Sequence, residues 1–397
     1  VADLTVASPY LHVLDAQRAA LVEALAPIVT GDDVTVARRR SARLSVRLDA
    51  SPLTDETADA VDASGGASGP VAATPPSGNG LDGGATTSGT RDGVAADGDP
   101  ASASGAGARH GAGWAAALRL DGMPTQDIAA VEYRGMLAGQ AAEAAMAARF
   151  FDAPVGTLVH ANRLVTAGLV AQERVGTLRR TSRAVHDGGQ GRVIFQAPPP
   201  ERLRDLLAGL DAWVRTEGRT VPPLALAGVV HGRLLHWRPF EAGNGRVARL
   251  ASRVALRASG GDPWGLAVPE ERYEADQLRY ATEVAATIRR GADLRPWNEW
   301  TGEAVVSSLE QVARDRALEP PGPDARAVRV CDGLEPGDRV TVLDLAAVAE
   351  LDRRAALVQA NLLCWTGLLS RDPGTHGLRY VRVVMDVSDR AGRPAPK

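Results

Sequence analysis

Residues 238 to 249, Arg-Pro-Phe-Glu-Ala-Gly-Asn-Gly-Arg-Val-Ala-Arg, place a glycine-rich turn directly before a stretch with helical spacing. After Gly243-Asn244-Gly245-Arg246, the apolar residues Val247, Leu250, Val254 and Leu256 recur at helical intervals. A helix that starts at such a turn points unpaired backbone N–H groups and the positive end of its dipole at one place, which suits an anion. Arg246 and Arg249 lie on neighbouring turns and can fork two phosphate groups. Between Asp211 and Arg257 there are eight arginines against three acidic residues, an excess that the whole chain, with a net charge of -3, does not show. The same turn also suits an ordinary loop, and spacing alone does not choose between the two readings.

The elements that must hold this loop are mostly helices. From Trp114 to about Val312 the pattern is helical, with long amphipathic stretches at 128–151 and 155–175. One interruption, 176–196, carries Arg179, Arg180 and Arg183 and the turn signal Gly188-Gly189-Gln190-Gly191, and it reads as a β-hairpin. Pro198-Pro199-Pro200-Glu201 opens a helix that runs through Trp213. A further helix from Leu224 to about Trp237 leads into the loop.

Upstream, residues 15–28 read as a helix, and 42–49, Ala-Arg-Leu-Ser-Val-Arg-Leu-Asp, alternate with the period of a strand. Residues 63–113 are Gly, Ala, Ser, Pro, Thr and Asp with almost no large apolar side chain. Such a segment is expected to be a flexible linker, because it cannot bury enough surface to offset its ordering entropy. At the other end, 340–351, a turn at Asp352, 353–369 and the β-rich run ending at Val384 give helix, helix, hairpin, the order of a winged helix-turn-helix. The expected division is therefore an N-terminal segment 1–62, linker 63–113, helical domain 114–312, winged-helix-like domain 325–385 and flexible tail 386–397.

Composition bounds the rest. The 397 residues are enough for two or three domains, and Lys397 is the only lysine, so the abundance of arginine reflects coding bias more than a nucleic-acid surface. Cys331 and Cys364 are too few for a disulfide framework and lack metal-ligand spacing, which favours a reducing, cytoplasmic setting. No apolar run approaches the roughly 20 residues needed to span a bilayer.

The 238–249 segment resembles the core loop of Fic (Fido domain) proteins, His-Pro-Phe-x-Asp/Glu-Gly-Asn-Gly-Arg-x-x-Arg. Further elements match in order: Asp127 to Ala138 with Glu132-Tyr133 at the usual Asn-Tyr step, Gly176-Thr-Leu-Arg179 at the flap hairpin, and Pro198-Pro-Pro-Glu201-Arg202 after it. The resemblance implies a mainly α fold, a Fic-type helical bundle with a small β-hairpin flap, to which the winged helix is added. It also implies transfer of a nucleotide fragment, usually AMP from ATP, to a Ser, Thr or Tyr hydroxyl of a target protein. Gly243, Asn244 and Gly245 would then build the anion hole for the α-phosphate, Arg246 and Arg249 would contact the distal phosphates, and Phe240 would anchor the loop. Val185 falls near the flap residue that clamps the target segment, and an ordinary hairpin apolar residue is the competing reading.

Two positions depart from the pattern. Arg238 stands where the family has its general base, and a guanidinium with a pKa above about 12 cannot accept a proton near neutral pH. Ala242 stands where the acid holds the metal, so the resemblance leaves no protein ligand for Mg²⁺, although phosphates and water can carry one in. His236, two residues earlier, is the nearest substitute base, and Glu241 the nearest substitute carboxylate. Arg238 can alternatively pair with a phosphate itself. Many relatives also carry an inhibitory helix, Ser/Thr-x-x-x-Glu-Gly, whose Glu pairs with the second motif arginine; Ala117-Leu-Arg-Leu-Asp121-Gly122 has that spacing, with Asp121 at the Glu position.

The function expected on these grounds is nucleotide-phosphate binding with impaired or lost adenylyltransferase activity. Two others compete with it: a DNA-binding regulator that uses 325–385, with Arg353, Arg354, Gln359 and Asn361 on its recognition helix, and an inactive interaction scaffold. The partners implied are a nucleotide, a target protein or active relative, DNA, and a second copy of the chain as a homodimer; no membrane is implied.

Overall fold

The computed structural model describes residues 6–64, 125–186, 193–290, 293–318, 321–372 and 379–383. The 65–113 part of the expected linker and the Asp121 element lie outside them.

Three helices come first: α1 (Pro9–Leu25), α2 (Gly31–Leu48) and α3 (Asp55–Ala63). Each start is signalled locally. Ser8 caps α1 ahead of Pro9, and Thr30 and Asp33 form a reciprocal capping box at α2. Residues 42–49 are thus helix and a C-cap, not a strand. The alternation of Leu and Arg there is coincidental with a helical face of Ala37, Ser41, Ala42 and Ser45, which is buried but too small and polar to register as apolar periodicity.

The body follows as α4 (Thr125–Ala141), α5 (Glu143–Arg149), α6 (Pro154–Thr166), the hairpin β1 (Ala184–His186) and β2 (Val193–Gln196), then α7 (Leu203–Thr216), α8 (Pro223–Trp237), α9 (Asn244–Ala258), α10 (Glu270–Ala275), α11 (Gln277–Arg289) and α12 (Arg295–Asp315). Central α8 is apolar on nearly every side and is buried along most of its length, as a helix surrounded by others must be. Against it stand α9 and α12, with Trp297 and Trp300 in the core.

The N-terminal helices are not a separately tethered segment: α2 packs on α4, α9 and α10. Meanwhile α1 shares a second core with the outer face of α12 and with the C-terminal elements. Those elements are α13 (Ala325–Asp332), β3 (Arg339–Thr341), α14 (Val342–Val348), α15 (Arg353–Trp365), β4 (Leu369–Arg371) and β5 (Arg379–Arg382), the strands forming an antiparallel sheet of order β3-β5-β4. A buried polar knot fastens this core: Arg371 meets Glu310 at 2.9 Å and donates to Asn361 Oδ1 at 2.6 Å, and Gln17 donates to the Asn361 carbonyl at 2.9 Å. Gln359 accepts from the Asp324 amide at 2.7 Å. The Asn361 amide is therefore consumed inside the fold and the Gln359 oxygen is taken by a backbone amide, while Arg353 and Arg354 are exposed. Among the described residues no helix is long and apolar enough to cross a membrane.

Candidate phosphate site

The loop between α8 and α9 is held at most of its backbone steps. Helix α8 ends because Arg238 adopts a left-handed conformation, φ 45°, with its amide donating to the Leu234 carbonyl at 2.9 Å, and Pro239 follows. Phe240 is buried and pairs as a β-bridge with Leu178 at the base of the hairpin. The Arg179 amide donates to the Pro239 carbonyl at 3.0 Å. The Arg179 guanidinium, itself buried, donates to the carbonyls of Arg238 at 2.7 Å, Thr181 at 2.7 Å and Trp237 at 3.1 Å, so it ties flap, helix end and loop together.

Asn244 uses both ends of its amide on one residue. Its Oδ1 accepts from the Phe240 amide and its Nδ2 donates to the Phe240 carbonyl, each at 2.8 Å. Its side chain therefore closes the loop. Gly243, φ 69°, forms the left-handed step into α9, and a Cβ there would press on Thr166 Cγ2 at 2.9 Å. Asn162 adds a clamp that sequence reading missed: it donates to the Ala242 carbonyl at 2.9 Å and accepts from the Gly176 amide at 3.0 Å.

At the start of α9 lies a cavity of about 180 Å³, lined by Leu48, Asp49, Arg183, Arg238, Glu241, Ala242 and residues 243–246. That is small beside the roughly 300–1,000 Å³ of ordinary ligand pockets. Asp49, the C-cap of α2, narrows it. Its carboxylate meets Arg249 Nη2 at 2.7 Å and Arg246 Nε at 3.4 Å. Arg249 also donates to the Ser45 hydroxyl at 2.7 Å and the Ser45 carbonyl at 2.6 Å, while Arg246 meets Glu132 at 2.8 Å. The two arginine side chains are only 1% and 2% exposed. Gly245 makes this approach possible, because a Cβ there would collide with Asp49 Oδ1.

Electrostatics follow the geometry. Burial works against ionisation of Asp49, but Arg249 and then Arg246 outweigh it and hold the carboxyl below the usual carboxylate range. Burial raises the Glu132 carboxyl, offset only in part by Arg246. Burial lowers Arg238, with Asp49 opposing the shift, yet a guanidinium remains cationic near neutral pH.

The substitute residues are placed elsewhere. His236 packs edge-on against Phe195 of β2, with ring centroids 6.1 Å apart, and does not line the cavity. Glu241 reaches the cavity, but its carboxylate faces Arg174 at 3.8 Å and Arg183 at 3.9 Å. Ala242 offers no oxygen from its side chain, and no group of three or more His, Cys, Asp or Glu among the described residues could hold a metal. The donor set does not fit a divalent cation held by the protein.

His231 lies beneath the site in a cluster with Tyr273, Tyr280 and Trp297, its Nε2 2.8 Å from the Tyr280 hydroxyl. Burial, then Arg249, push it down to about 3, and burial, then Arg233, push His236 to about 4. The unfolded chain, with histidines near 6.5, binds protons that the folded chain refuses, so this stabilisation is lost as pH falls below about 6.5. A His231→Phe variant is expected to gain on wild type by about 1.4 kcal/mol per pH unit between about pH 6 and 4. Urea unfolding at several pH values measures this; a gap independent of pH would show that His231 is not held neutral.

Asp49 was not singled out in the sequence, although Ser45-Val-Arg-Leu-Asp49-Ala50 carries the Ser/Thr-x-x-x-acid spacing with its hydroxyl residue intact. It keeps the hydroxyl residue where the Asp121 segment keeps the Gly, and its Asp49 carboxylate meets Arg249. Ala50 even takes the left-handed conformation, φ 58°, that the pattern's Gly would favour.

Residues 155–256 match the sequence model of the Fic/DOC family. Protein adenylyltransferase Fic of Culex quinquefasciatus is 27% identical over 136 residues, covering 34% of this chain and 24% of that protein. Protein adenylyltransferase fic-1 of Caenorhabditis elegans is 30% identical over 118 residues, 30% of this chain and 22% of that protein. The matched region thus spans less than a quarter of these curated relatives. The crystal structure of a Fic family protein from Desulfovibrio desulfuricans G20, 18% identical, superposes with a TM-score of 0.54 over 96% of this chain and 97% of that one, which shows a shared fold.

Proposed function

We propose that this chain, whose residues 155–256 belong to the Fic/DOC family, is a receptor for nucleotide phosphates that Asp49 holds closed and that is impaired in nucleotide transfer. ATP is the ligand that the related protein adenylyltransferases imply. The observation that carries this reading is the Asp49 carboxylate seated 2.7 Å from Arg249 at the start of α9, in the place where an anion would be received.

The chemistry divides cleanly. The turn Gly243 to Arg246 brings backbone amides and a helix dipole to one point, and Arg246 and Arg249 supply forked donors for phosphate oxygens. Glu132 stays on Arg246 when Asp49 leaves, so Arg249 gains most from an incoming phosphate. Transfer to a protein hydroxyl would also need a base to take its proton, and Arg238 cannot do this. Asp49, in place of Asp121, is the residue to which we assign the inhibitory role.

Equilibrium binding of α-labelled ATP tests the site. With Asp49→Asn as the reference, adding Arg246→Ala should weaken binding about tenfold or more, the cost of one charge-assisted bidentate contact. Equal binding by both variants would remove the phosphate site from the account.

A further inference from the structure

We propose that Arg238 supplies the positive charge that a divalent cation would otherwise bring, so that the cavity receives a diphosphate- or triphosphate-bearing nucleotide without one. This rests on the phosphate-receptor reading above.

Two independent features of the cavity support it. The first is the donor set. The loop has Ala242 where an oxygen ligand would be needed, and the neighbouring carboxylate of Glu241 is shared between Arg174 and Arg183. The second is charge. Three arginines, 183, 238 and 246, line the cavity against two carboxylates, Asp49 and Glu241. Once Asp49 leaves, only Glu241 remains among the lining carboxylates, and Arg249 loses its carboxylate partner as well. A surplus of positive charge at close range repels a divalent cation and attracts a polyphosphate.

Arg238 is placed for this task. Its backbone is pinned from both directions, the amide on the Leu234 carbonyl and the carbonyl on Arg179 Nε. Its left-handed conformation turns the side chain out of the α8 path and into the cavity lining. There its buried Nε has no hydrogen-bond partner. A buried guanidinium donor left unsatisfied is costly, and two phosphate oxygens fit its fork. Arg238 and Ala242 are then one linked change rather than two losses: the cation's ligand disappears and a fixed cation appears four residues away.

Calorimetric titration of ATP into the full chain carrying Asp49→Asn, once in EDTA and once in excess magnesium chloride, tests this. The expected affinities agree within about threefold, because the fixed guanidinium already neutralises the phosphates. Adding Arg238→Gln should weaken binding in EDTA about tenfold or more, while Arg238→Lys, which keeps the charge but not the fork, should lose less. Binding that is tight only with magnesium would overturn the inference and leave the phosphate site standing. So would binding in EDTA that Arg238→Gln, folded by its circular dichroism, leaves unchanged. No binding in either buffer would overturn both readings.

Discussion

Asp49→Asn is expected to tighten ATP binding about 10-fold to 100-fold and, without nucleotide, to lower the melting temperature. The two effects have one origin. Asparagine keeps nearly the shape of aspartate and can still accept from Arg249, but it removes the charge that satisfies two buried guanidinium groups. Breaking a buried ion pair from one side typically costs about 3–5 kcal/mol. The cost here should fall at or below the lower end, because the Ser45 hydroxyl and carbonyl remain on Arg249. In the native chain an entering phosphate must first displace Asp49; in the variant it meets an open site and restores the missing charge. Saturating nucleotide, at about 100 times the dissociation constant, should return about 2.7 kcal/mol of stability to the variant. A variant that melts lower, yet binds ATP no better than wild type, would mean that Asp49 is a structural cap alone.

Restoring the base should have the larger effect on chemistry. In the Asp49→Asn background, Arg238→His together with Ala242→Asp is expected to raise transfer of label from α-labelled ATP to protein hydroxyls by roughly 100-fold to 10,000-fold, the usual worth of a positioned general base. The backbone permits the change: position 238 lies in the left-handed region, where histidine is among the residues better tolerated. Position 242 already lines the cavity, so a carboxylate placed there would face the phosphates. Label incorporation at full rate by the chain with Arg238 intact, abolished by His236→Ala, would overturn the account of lost catalysis.

The parts of this site that were legible in sequence are those in which local pattern and local structure coincide. The turn at 243–246, its following helix and the hairpin are each encoded within a few residues, whereas the contacts of Arg179 with the Arg238 and Trp237 carbonyls span almost 60. Asn162 and Asp49 are not encoded locally either. Each acts on a loop 80 or 200 residues away, a pairing that periodicity cannot carry. Asp49 was hidden twice. The helix that presents it has a buried face of alanines and serines, and its Leu-Arg alternation imitates a strand. The better guide was the Ser45 to Asp49 spacing, which survives whichever secondary structure is assigned. At the C-terminus the order helix, helix, hairpin was legible, but the fate of Gln359 and Asn361 was not, because it depends on Asp324 and Arg371.

The seat that Asp49 and the Ser45 carbonyl take on Arg249 makes the end of α2 a tethered competitor. An anion attached to the protein does not dilute, and its effective concentration is set by how α2 is packed rather than by the composition of the medium. On the proposed reading, the apparent dissociation constant for nucleotide would be the intrinsic one divided by the fraction of molecules in which α2 has let go. Sensitivity to nucleotide would thereby be set by the contacts of α2 with α4 and α10, at a distance from the loop that would bind it.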